Sequence, residues 1–454
     1  MLRFEAQNFK SIKNLHLDMR PFMVLVGPNG AGKTNVVRAL ELFGDIIERG
    51  TTDPIFEQGY EQLIHREKKP ARAGLGFAAE IALPDDVVQR AQRLTFFHRA
   101  SSKQESLLAD DSPLARPVTV RLEVWLAGSV ATGMAKVVHE SLELRQGTDR
   151  YRIQLEDAAV TVESSSSPLL RRIVARAVLG SAVVSRLLRT EKQRDEEQAI
   201  RAAFEQEEDS PEGLLRLLNW QRLLGPLAHH IRNAVRVRRV RLDASALRRD
   251  SLFEESSRGL IGPHGEGLAI AVARLRGLGK NPEAFRSVLA GLQAVFPRIE
   301  DVNYDRIQPG RLILRFKERG ISDPLGPSNV SDGVLHALAL LIEIQGSGRS
   351  GGTLAIEEPE NAIHPWSLRT IAERAQGSKL PQRLLFTTHS ETMVNAVKDP
   401  ASLFVVENDM VHGTRVVPAN EKENALDAIL RQTEQKLGDV WLDGTIGGVP
   451  EGDR

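Results

Sequence analysis

The stretch Phe22-Met23-Val24-Leu25-Val26-Gly27-Pro28-Asn29-Gly30-Ala31-Gly32-Lys33-Thr34 carries more information than any other part of the chain. Its apolar start predicts a buried strand, and a glycine-rich loop follows directly. From Asn35 to Phe43 the apolar residues recur at helical spacing, which predicts a helix after the loop. A strand, a glycine loop that ends in Lys-Thr and a helix, in that order, predict a phosphate-binding loop.

The loop supplies groups that suit a nucleoside triphosphate. Glycines allow backbone N–H groups to curve around phosphates, and the helix N-terminus adds partial positive charge. We expect Lys33 to reach the β- and γ-phosphates of ATP and the Thr34 hydroxyl to hold Mg²⁺. The predicted nucleotide-binding residues of this loop are Gly27, Pro28, Asn29, Gly30, Ala31, Gly32, Lys33, Thr34 and Asn35. A glycine-rich turn before an ordinary helix is the alternative, and the buried strand before the loop disfavours it.

Composition limits the classes of protein that fit this chain. Its 454 residues suffice for two or three domains, and 60 basic residues balance 60 acidic ones, so net charge does not point to nucleic acid or membrane. The chain has no cysteine, which excludes disulfides, thiolate catalysis and cysteine-based zinc sites. No secretory signal and no membrane-spanning stretch is evident, so we expect a soluble, cytoplasmic protein without a membrane partner.

The predicted elements divide the chain into three parts. Strand patterns dominate residues 1–165, helical and charged patterns dominate residues 166–297, and strand patterns return in residues 298–454. The predictions include strands over Leu75–Leu83, Val118–Leu126, Tyr151–Val162, Thr353–Ile356 and Arg383–Phe386, and a charged helix over Val183–Asp209. We therefore predict an α/β fold with a mixed sheet, whose two lobes are interrupted by a mainly helical insertion.

Two adjacent carboxylates, Glu357 and Glu358, end the predicted strand Thr353–Ile356. At the end of a strand the chain turns, so both side chains can reach one site. We expect Glu357 to join the Mg²⁺ shell and Glu358 to act as the catalytic group that polarises the attacking water. An acidic strand end exposed to solvent is the alternative, and the phosphate loop upstream disfavours it.

His389 closes another predicted apolar strand, Leu385-Phe386-Thr387-Thr388. A ring N–H at this place could sense the γ-phosphate. A lone histidine is more often structural, but its position after the carboxylate pair favours a catalytic role beside Lys33 and Glu358.

Ser331, Asp332 and Gly333 open a strongly apolar predicted helix that runs to Ile344. Serine and aspartate at this place predict a side-chain cap for the first helical turn. A helix N-terminus is also an anion site, so we include all three residues among the predicted nucleotide-binding groups.

Taken in order, these four motifs resemble the ABC-type ATPase heads of the RecF, SMC and OLD (overcoming lysogenization defect) group. Asn8-Phe9-Lys10-Ser11-Ile12 also resembles the first strand of such heads, and Glu358-Pro359-Glu360-Asn361-Ala362-Ile363-His364-Pro365 is similar to the form found in OLD-like ATPases. The resemblance covers roughly the first 160 and the last 150 residues. Members of this group act in prokaryotic anti-phage defence, in DNA repair or in chromosome organisation.

The resemblance implies a homodimer or a higher oligomer in which pairs of heads sandwich ATP. Ser331 and Gly333 of one head would then complete the γ-phosphate site of the other, and Asn361 would lie in the loop that communicates between the sites. A glutamine usually contacts the metal from a loop after the first helix, and both Gln58 and Gln62 are candidates. Glu357 stands where aspartate is more common in this group, and its extra methylene places the carboxylate farther from the backbone.

Partner predictions rest on what the sequence contains and lacks. About 65 residues follow His389, too few for the nuclease domain of OLD proteins, so we expect a head without nuclease activity of its own. Seven arginines lie between residues 232 and 249, namely Arg232, Arg236, Arg238, Arg239, Arg241, Arg248 and Arg249. They could bind the DNA backbone, but nearby acidic residues favour pairs within the chain.

Three functions therefore fit the sequence. The leading hypothesis is a sensor or regulatory ATPase of a prokaryotic anti-phage defence module, acting on a separately encoded effector such as a nuclease. A RecF-like DNA-repair or DNA-clamping ATPase is the second, and a scaffold that binds ATP without significant turnover is the third.

Overall fold

A computed structural model describes most of the chain and divides it into two compact units. The described residues are 2–65, 74–93, 117–129, 132–156, 159–164, 225–252, 261–278, 282–346, 351–377, 382–419 and 436–442. The first unit comprises Met1–Met19, Arg38–Arg236 and Val411–Gly413, and the second comprises Arg20–Val37, Val237–Met410 and Thr414–Arg454. Helix α1, Lys33–Arg49, begins in the second unit and ends in the first.

The first unit is built on an antiparallel sheet. Its strand order is β8-β7-β6-β5-β4-β1-β2, and every neighbouring pair runs antiparallel. Alternate residues of β5 are buried, as a sheet with one packed face requires, and the rings of Phe4, Phe43 and Phe77 pack together on β1, α1 and β4. The strands are β1 Leu2–Phe9, β2 Ile12–Met19, β4 Leu75–Leu83, β5 Val118–Gly128, β6 Ala135–Gln146, β7 Asp149–Glu156 and β8 Ala159–Ser164; the helices are α2 Asp53–Gln58, α3 Tyr60–Leu63, α4 Asp85–Arg93 and α5 Gly225–Val235.

The second unit is built on a mainly parallel sheet that contains the phosphate loop. The order is β16-β15-β3-β14-β13-β9, with parallel pairing from β15 through to β9. Its strands are β3 Phe22–Val26, β9 Val237–Val240, β13 Thr353–Glu357, β14 Arg383–Thr388, β15 Leu403–Asp409 and β16 Gly413–Pro418. A second sheet, in the order β10-β12-β11, consists of Ser251–Leu252, Arg311–Glu318 and Ile299–Gln308.

Apolar helices form the core of the second unit. Every residue of α9 from Val334 to Leu341 is buried, and α7 is buried along its whole length. The helices are α6 Ala244–Arg248, α7 Leu268–Ala273, α8 Pro282–Val295, α9 Asp332–Leu341, α10 Pro365–Gly377, α11 Glu391–Asn395 and α12 Leu437–Leu442. Beyond α9 the chain continues as a π-helical turn, Ile342–Gly346. Within that turn Glu343 is completely buried, accepts a hydrogen bond from Ile261 N and forms an ion pair with Arg238.

The predicted α/β fold class with a mixed sheet is confirmed. The predicted strands Leu75–Leu83, Thr353–Ile356 and Arg383–Phe386 appear as β4, β13 and β14. Tyr151–Val162 is instead divided between two strands, β7 and β8, which pair antiparallel. Apolar and polar residues alternate in both β7 and β8, so the pattern does not mark where one strand ends and the next begins.

The predicted helical insertion, residues 166–297, differs from the structure at its C-terminal part. Strand β9 lies within that range, yet it pairs with β13 in the parallel sheet. The pattern of β9 does not predict a buried strand, because two of its four residues are arginines and only Val240 is buried. The predicted helix Val183–Asp209 lies outside the described residues, so the insertion's boundaries stay a prediction.

Helix α12 packs on the second unit, to which it belongs. Trp441 is buried among core residues, and the Gly438 N–H donates to Asn395 Oδ1 of α11 at 2.8 Å. Among the described residues, no helix is both long and apolar enough to cross a membrane.

Candidate functional site

The phosphate loop lies between the buried strand β3 and the N-terminus of α1. Gly30 and Gly32 have φ angles of 83° and 101°, a region that only glycine adopts without strain. Gly27 is required for a different reason, because a Cβ there would clash with the Val406 carbonyl oxygen of β15. The loop therefore needs glycine at each of these three positions.

Lys33 lies buried inside the curve of this loop. Its Nζ donates to the carbonyl oxygens of Gly27 at 2.6 Å and Pro28 at 3.0 Å. Burial lowers the pKa of Lys33, while the charges of Glu358 and Glu360 oppose that shift. The ammonium is thus held by weak backbone acceptors, which a phosphate can replace with stronger charged ones.

Strand register brings three chain segments to the same edge of the parallel sheet. Glu357 is opposite Thr387, and Thr388 is opposite Val26, the residue before the phosphate loop. The carboxyl ends of β3, β13 and β14 therefore meet, which is the usual ligand-binding edge of an open α/β sheet. The phosphate loop, Ser331 to Gly333, both glutamates and His389 all belong to the second unit.

Glu357 is a buried carboxylate with one paired and one unpaired oxygen. It is 3% exposed, and its Oε2 accepts from Arg239 Nη1 at 3.2 Å. In the part of the chain that the structure describes, Oε1 has no hydrogen-bond partner. A buried carboxylate oxygen normally has a partner, so Oε1 is open to a cation or a donor.

Magnesium fits this donor set. Mg²⁺ commonly takes one or two protein ligands and completes its shell with substrate phosphates and water. Glu357 Oε1 and the Thr34 hydroxyl are of the right chemical type, and no larger cluster of histidine and carboxylate side chains occurs among the described residues. A metal here would therefore depend on the nucleotide for most of its ligands.

Glu358 is held by two donors in a strained backbone conformation. Its φ angle is 50°, in the left-handed region that non-glycine residues rarely adopt. Oε2 accepts from Arg241 Nη2 at 2.7 Å and from Asn361 Nδ2 at 3.1 Å, so both of these donors bind the same carboxylate oxygen. Burial alone would raise the pKa of Glu358, but the Asn361 hydrogen bond and the hydrogen bond and charge of Arg241 outweigh it, so the pKa is lowered.

Glu360 fixes the histidine at the end of β14. Its Oε1 accepts from Thr388 Oγ1 at 2.8 Å and from the His389 N–H at 2.9 Å, and it lies 3.2 Å from His389 Nδ1. A proton on Nδ1 that points at the carboxylate leaves Nε2 for another partner. Sequence reasoning did not select Glu360, although it stands in the Glu-Pro-Glu motif.

The helix start at Ser331 differs from the predicted cap. Ser331 occupies the N-cap position of α9, but its side chain makes no capping hydrogen bond. Asp332 is held instead by Arg248, whose Nε and Nη2 donate to Oδ1 at 3.0 and 2.5 Å. Arg248 also donates to the carbonyl oxygens of Pro327 and Val330, so one guanidinium ties down the loop before α9.

Gly333 brings this helix start against the turn that follows Glu358. A Cβ added at Gly333 would lie 3.1 Å from the Ala362 carbonyl oxygen, tighter than ordinary packing. Asn361, next to Ala362, bonds the Glu358 carboxylate. The predicted signature and the predicted communicating loop are therefore neighbours within one chain.

The arginine cluster is largely paired within the chain. In the second unit Arg238 pairs with Glu343, Arg239 with Glu357, Arg241 with Glu358 and Arg248 with Asp332; in the first unit Arg236 pairs with Glu48. These pairs favour the interpretation that the arginines bind carboxylates of the same chain and not the DNA backbone. Three of these arginines, Arg239, Arg241 and Arg248, bind carboxylates of the candidate site. Each of those carboxylates lies 84 to 118 positions away from its arginine in the sequence.

Other predicted residues stay untested. Gln58 ends α2, and Gln62 lies in α3, where its carbonyl oxygen accepts from Lys10 Nζ at 2.9 Å. Both belong to the first unit, and the choice between them remains open.

Two protein families match this chain. Residues 1–67 match a model described as "AAA ATPase domain", and residues 183–395 match one described as "AAA domain, putative AbiEii toxin, Type IV TA system". The second match contains β9, the Ser331 helix, both glutamates and His389.

One similar protein is an OLD nuclease from Thermus scotoductus, 42% identical over 45 residues, which is 10% of this chain and 8% of the nuclease. The chain therefore matches only a small part of that relative's length.

Solved structures with some likeness are heads of SMC proteins, each 12% identical. An SMC head bound to the C-terminal winged-helix domain of ScpA has a TM-score of 0.42 and covers 91% of this chain and 96% of its own. A head with an extended coiled coil, bound to the C-terminal domain of ScpA from Pyrococcus furiosus, has a TM-score of 0.40. That match covers 95% of this chain and 100% of the SMC head. The SMC head from Thermotoga maritima has a TM-score of 0.35, and the match covers 92% of this chain and 97% of that head.

Proposed function

We propose that this chain is an AAA-type, OLD-like ATPase in which ATP-driven pairing of two ABC-type heads controls a separately encoded effector. In this proposal it is the regulatory ATPase of a prokaryotic anti-phage defence module. The observation that carries the pairing is the helix start at Ser331: its hydroxyl does not cap its own helix and remains available to a nucleotide on a second head.

The residues of one head supply most of a hydrolytic site. Lys33 and the loop N–H groups bind the phosphates, and Mg²⁺, held by Thr34 and Glu357, would neutralise charge on the β- and γ-phosphates. Glu358 Oε1 orients the attacking water while Arg241 and Asn361 hold Oε2. His389, oriented by Glu360, directs Nε2 to the γ-phosphate.

A second head supplies what this set lacks. Ser331 and Gly333 of the partner bring a helix N-terminus and a hydroxyl to the γ-phosphate. Since this contact needs the γ-phosphate, ATP and not ADP would favour the pair. Pairing that depends on the phosphate gives the protein two states through which an effector can be controlled.

The regulatory role is supported by resemblance and by charge. OLD-like ATPases include members that act in anti-phage defence, and one matching family description names a toxin system. The DNA-clamping alternative is less favoured, because the arginines of residues 236–248 that would bind phosphate are occupied by carboxylates.

Two matched variants test the proposal. Glu358→Gln should bind ATP, hydrolyse it slowly and accumulate as a dimer, whereas Lys33→Ala should stay monomeric with ATP; light scattering during size exclusion measures both. A monomer for Glu358→Gln under saturating ATP would contradict the pairing.

The partner is tested with the same two proteins as bait in the native host. A toxic effector that co-purifies in stoichiometric amount with Glu358→Gln, and not with Lys33→Ala, supports the defence role. Duplex DNA in place of a protein would favour the repair-type ATPase instead.

A further inference from the structure

Residues 237–248, here called the arginine segment, comprise β9 and α6 and connect two parts of the candidate site. Arg239 and Arg241 bind Glu357 and Glu358 at the end of β13. Seven residues after Arg241, Arg248 binds Asp332 at the start of α9. One short stretch of chain thus contacts both acidic residues of the hydrolytic end and the acidic residue of the signature.

The arginine segment is itself fixed to the unit. Its β9 part pairs with β13, the Arg241 N–H donates to the Pro263 carbonyl oxygen at 2.8 Å, and Asp243 caps α6 by accepting from the N–H groups of Ser245 and Ala246. Leu247 is fully buried. A segment held by strand pairing, a cap and a buried side chain moves as one piece, so a shift at Arg241 is passed on to Arg248.

The two ends that the segment joins serve different nucleotides in the proposed dimer. Glu358 acts on the ATP bound by its own head, while Ser331 and Gly333 act on the ATP bound by the partner. Within the chain these ends also meet directly, through Glu358 with Asn361 and through Gly333 against Ala362. The guanidinium of Arg248 fixes the start of α9 near this turn, because it binds Asp332 and two carbonyl groups of the preceding loop at once.

We propose that Arg241 and Arg248 are positioning residues that couple the two ATP sites of the dimer. Nucleotide at one head sets Glu358 and, through Arg241, the arginine segment and Arg248, also sets the signature that the same head presents to the other site. The inference rests on the proposed ATP-dependent pairing and adds to it a cause of cooperativity between the sites.

The test compares steady-state ATP hydrolysis by the full chain with the variants Arg248→Gln, Arg241→Gln and the double variant. For the natural sequence we expect a Hill coefficient above 1, toward the limit of two set by two sites. Arg248→Gln should lower kcat about tenfold and bring the Hill coefficient to about 1, as for the loss of one charged hydrogen-bonding group. Binding of a fluorescent ATP analogue to the dilute monomer should change less than about twofold, since Arg248 does not touch the phosphate loop.

The double variant shows whether Arg241 and Arg248 act together through one segment or contribute independently to hydrolysis. If the arginines act through one segment, the double variant should lose little more cooperativity than either single variant, and its loss of kcat should be smaller than the product of the single losses. Losses that multiply, or a Hill coefficient that is unchanged in Arg248→Gln, would overturn the inference.

Two further variants protect this conclusion. Arg276→Gln removes an arginine pair of similar exposure, with Asp301, that lies outside the site, and it should hydrolyse ATP like the natural sequence. Arg248→Lys keeps the charge but cannot hold the carboxylate and two carbonyl groups together, so it should recover kcat only in part. If the unaltered protein forms no ATP-dependent dimer, the proposed function fails first, which is a result distinct from a cooperative dimer that ignores Arg248.

Discussion

The phosphate-loop end and the signature end of the second unit are built in opposite ways. The loop is made by local backbone: three glycines, a helix start and a lysine bonded to carbonyl groups five and six residues before it. The signature end is held by side-chain charge from a distant segment, with Arg248 and Asp332 partly exposed. A backbone-built site is fixed once the chain folds, whereas one held by partly exposed ion pairs can be adjusted, so regulation should act at the signature end.

The sharpest way to test this contrast is to remove the catalytic base. Glu358→Gln should lower kcat by at least about a hundredfold, because general-base groups contribute roughly that much or more. ATP affinity should stay within a few-fold, since the loop makes the binding contacts. Steady-state ATPase assays and equilibrium binding measure the two quantities; an ATP-binding scaffold would show no loss of turnover.

Changing the loop lysine should give the reverse pattern. Lys33→Met should weaken ATP binding about tenfold to a hundredfold, the effect of losing a charged hydrogen-bond donor. Folding should tolerate the change, because burial already disfavours the charged form of Lys33 in the loop, as the lowered pKa of its ammonium shows. Calorimetric titration with ATP and a thermal melt check both statements, and unchanged affinity would contradict the assignment of the loop.

Glu360→Gln should have a smaller effect than either Glu358→Gln or Lys33→Met. It keeps an acceptor for Thr388 and His389 but removes the charge that fixes His389 Nδ1–H. We expect kcat to fall about tenfold with little change in ATP affinity. His389→Gln should then add little to Glu360→Gln if both act through the same ring, and additive losses would show separate roles.

Gly333→Ala should have the smallest effect and acts only on the signature end. The new Cβ would press on the Ala362 carbonyl oxygen, which costs about 1 kcal/mol and should weaken ATP-dependent pairing roughly fivefold. Gly377→Ala is the matched control, because that helical position has open space around it. Analytical ultracentrifugation with ATP compares the pair, and equal dimer affinity in both would remove Gly333 from the interface.

The features that the sequence predicts are those built from neighbouring residues, and the features it does not predict are those held by distant side chains. The loop and the carboxyl ends of β13 and β14 were predictable because a buried strand and its next few residues are adjacent in the chain. The arginine partners were not, because Arg239 and Glu357 are 118 positions apart and the pairing depends on β9 joining β13. Strand β9 itself has one buried residue in four, too weak a pattern to predict a strand within a charged region.

The buried pair of Arg238 and Glu343 has a consequence for how relatives of this chain diverge. Glu343 has no exposure to solvent, so a relative that lost Arg238 alone would keep an uncompensated carboxylate within apolar packing. The two positions should therefore change together across an alignment, either as an ion pair or as two apolar residues of similar volume. A relative with two apolar residues at these positions would be expected to have a more heat-resistant head.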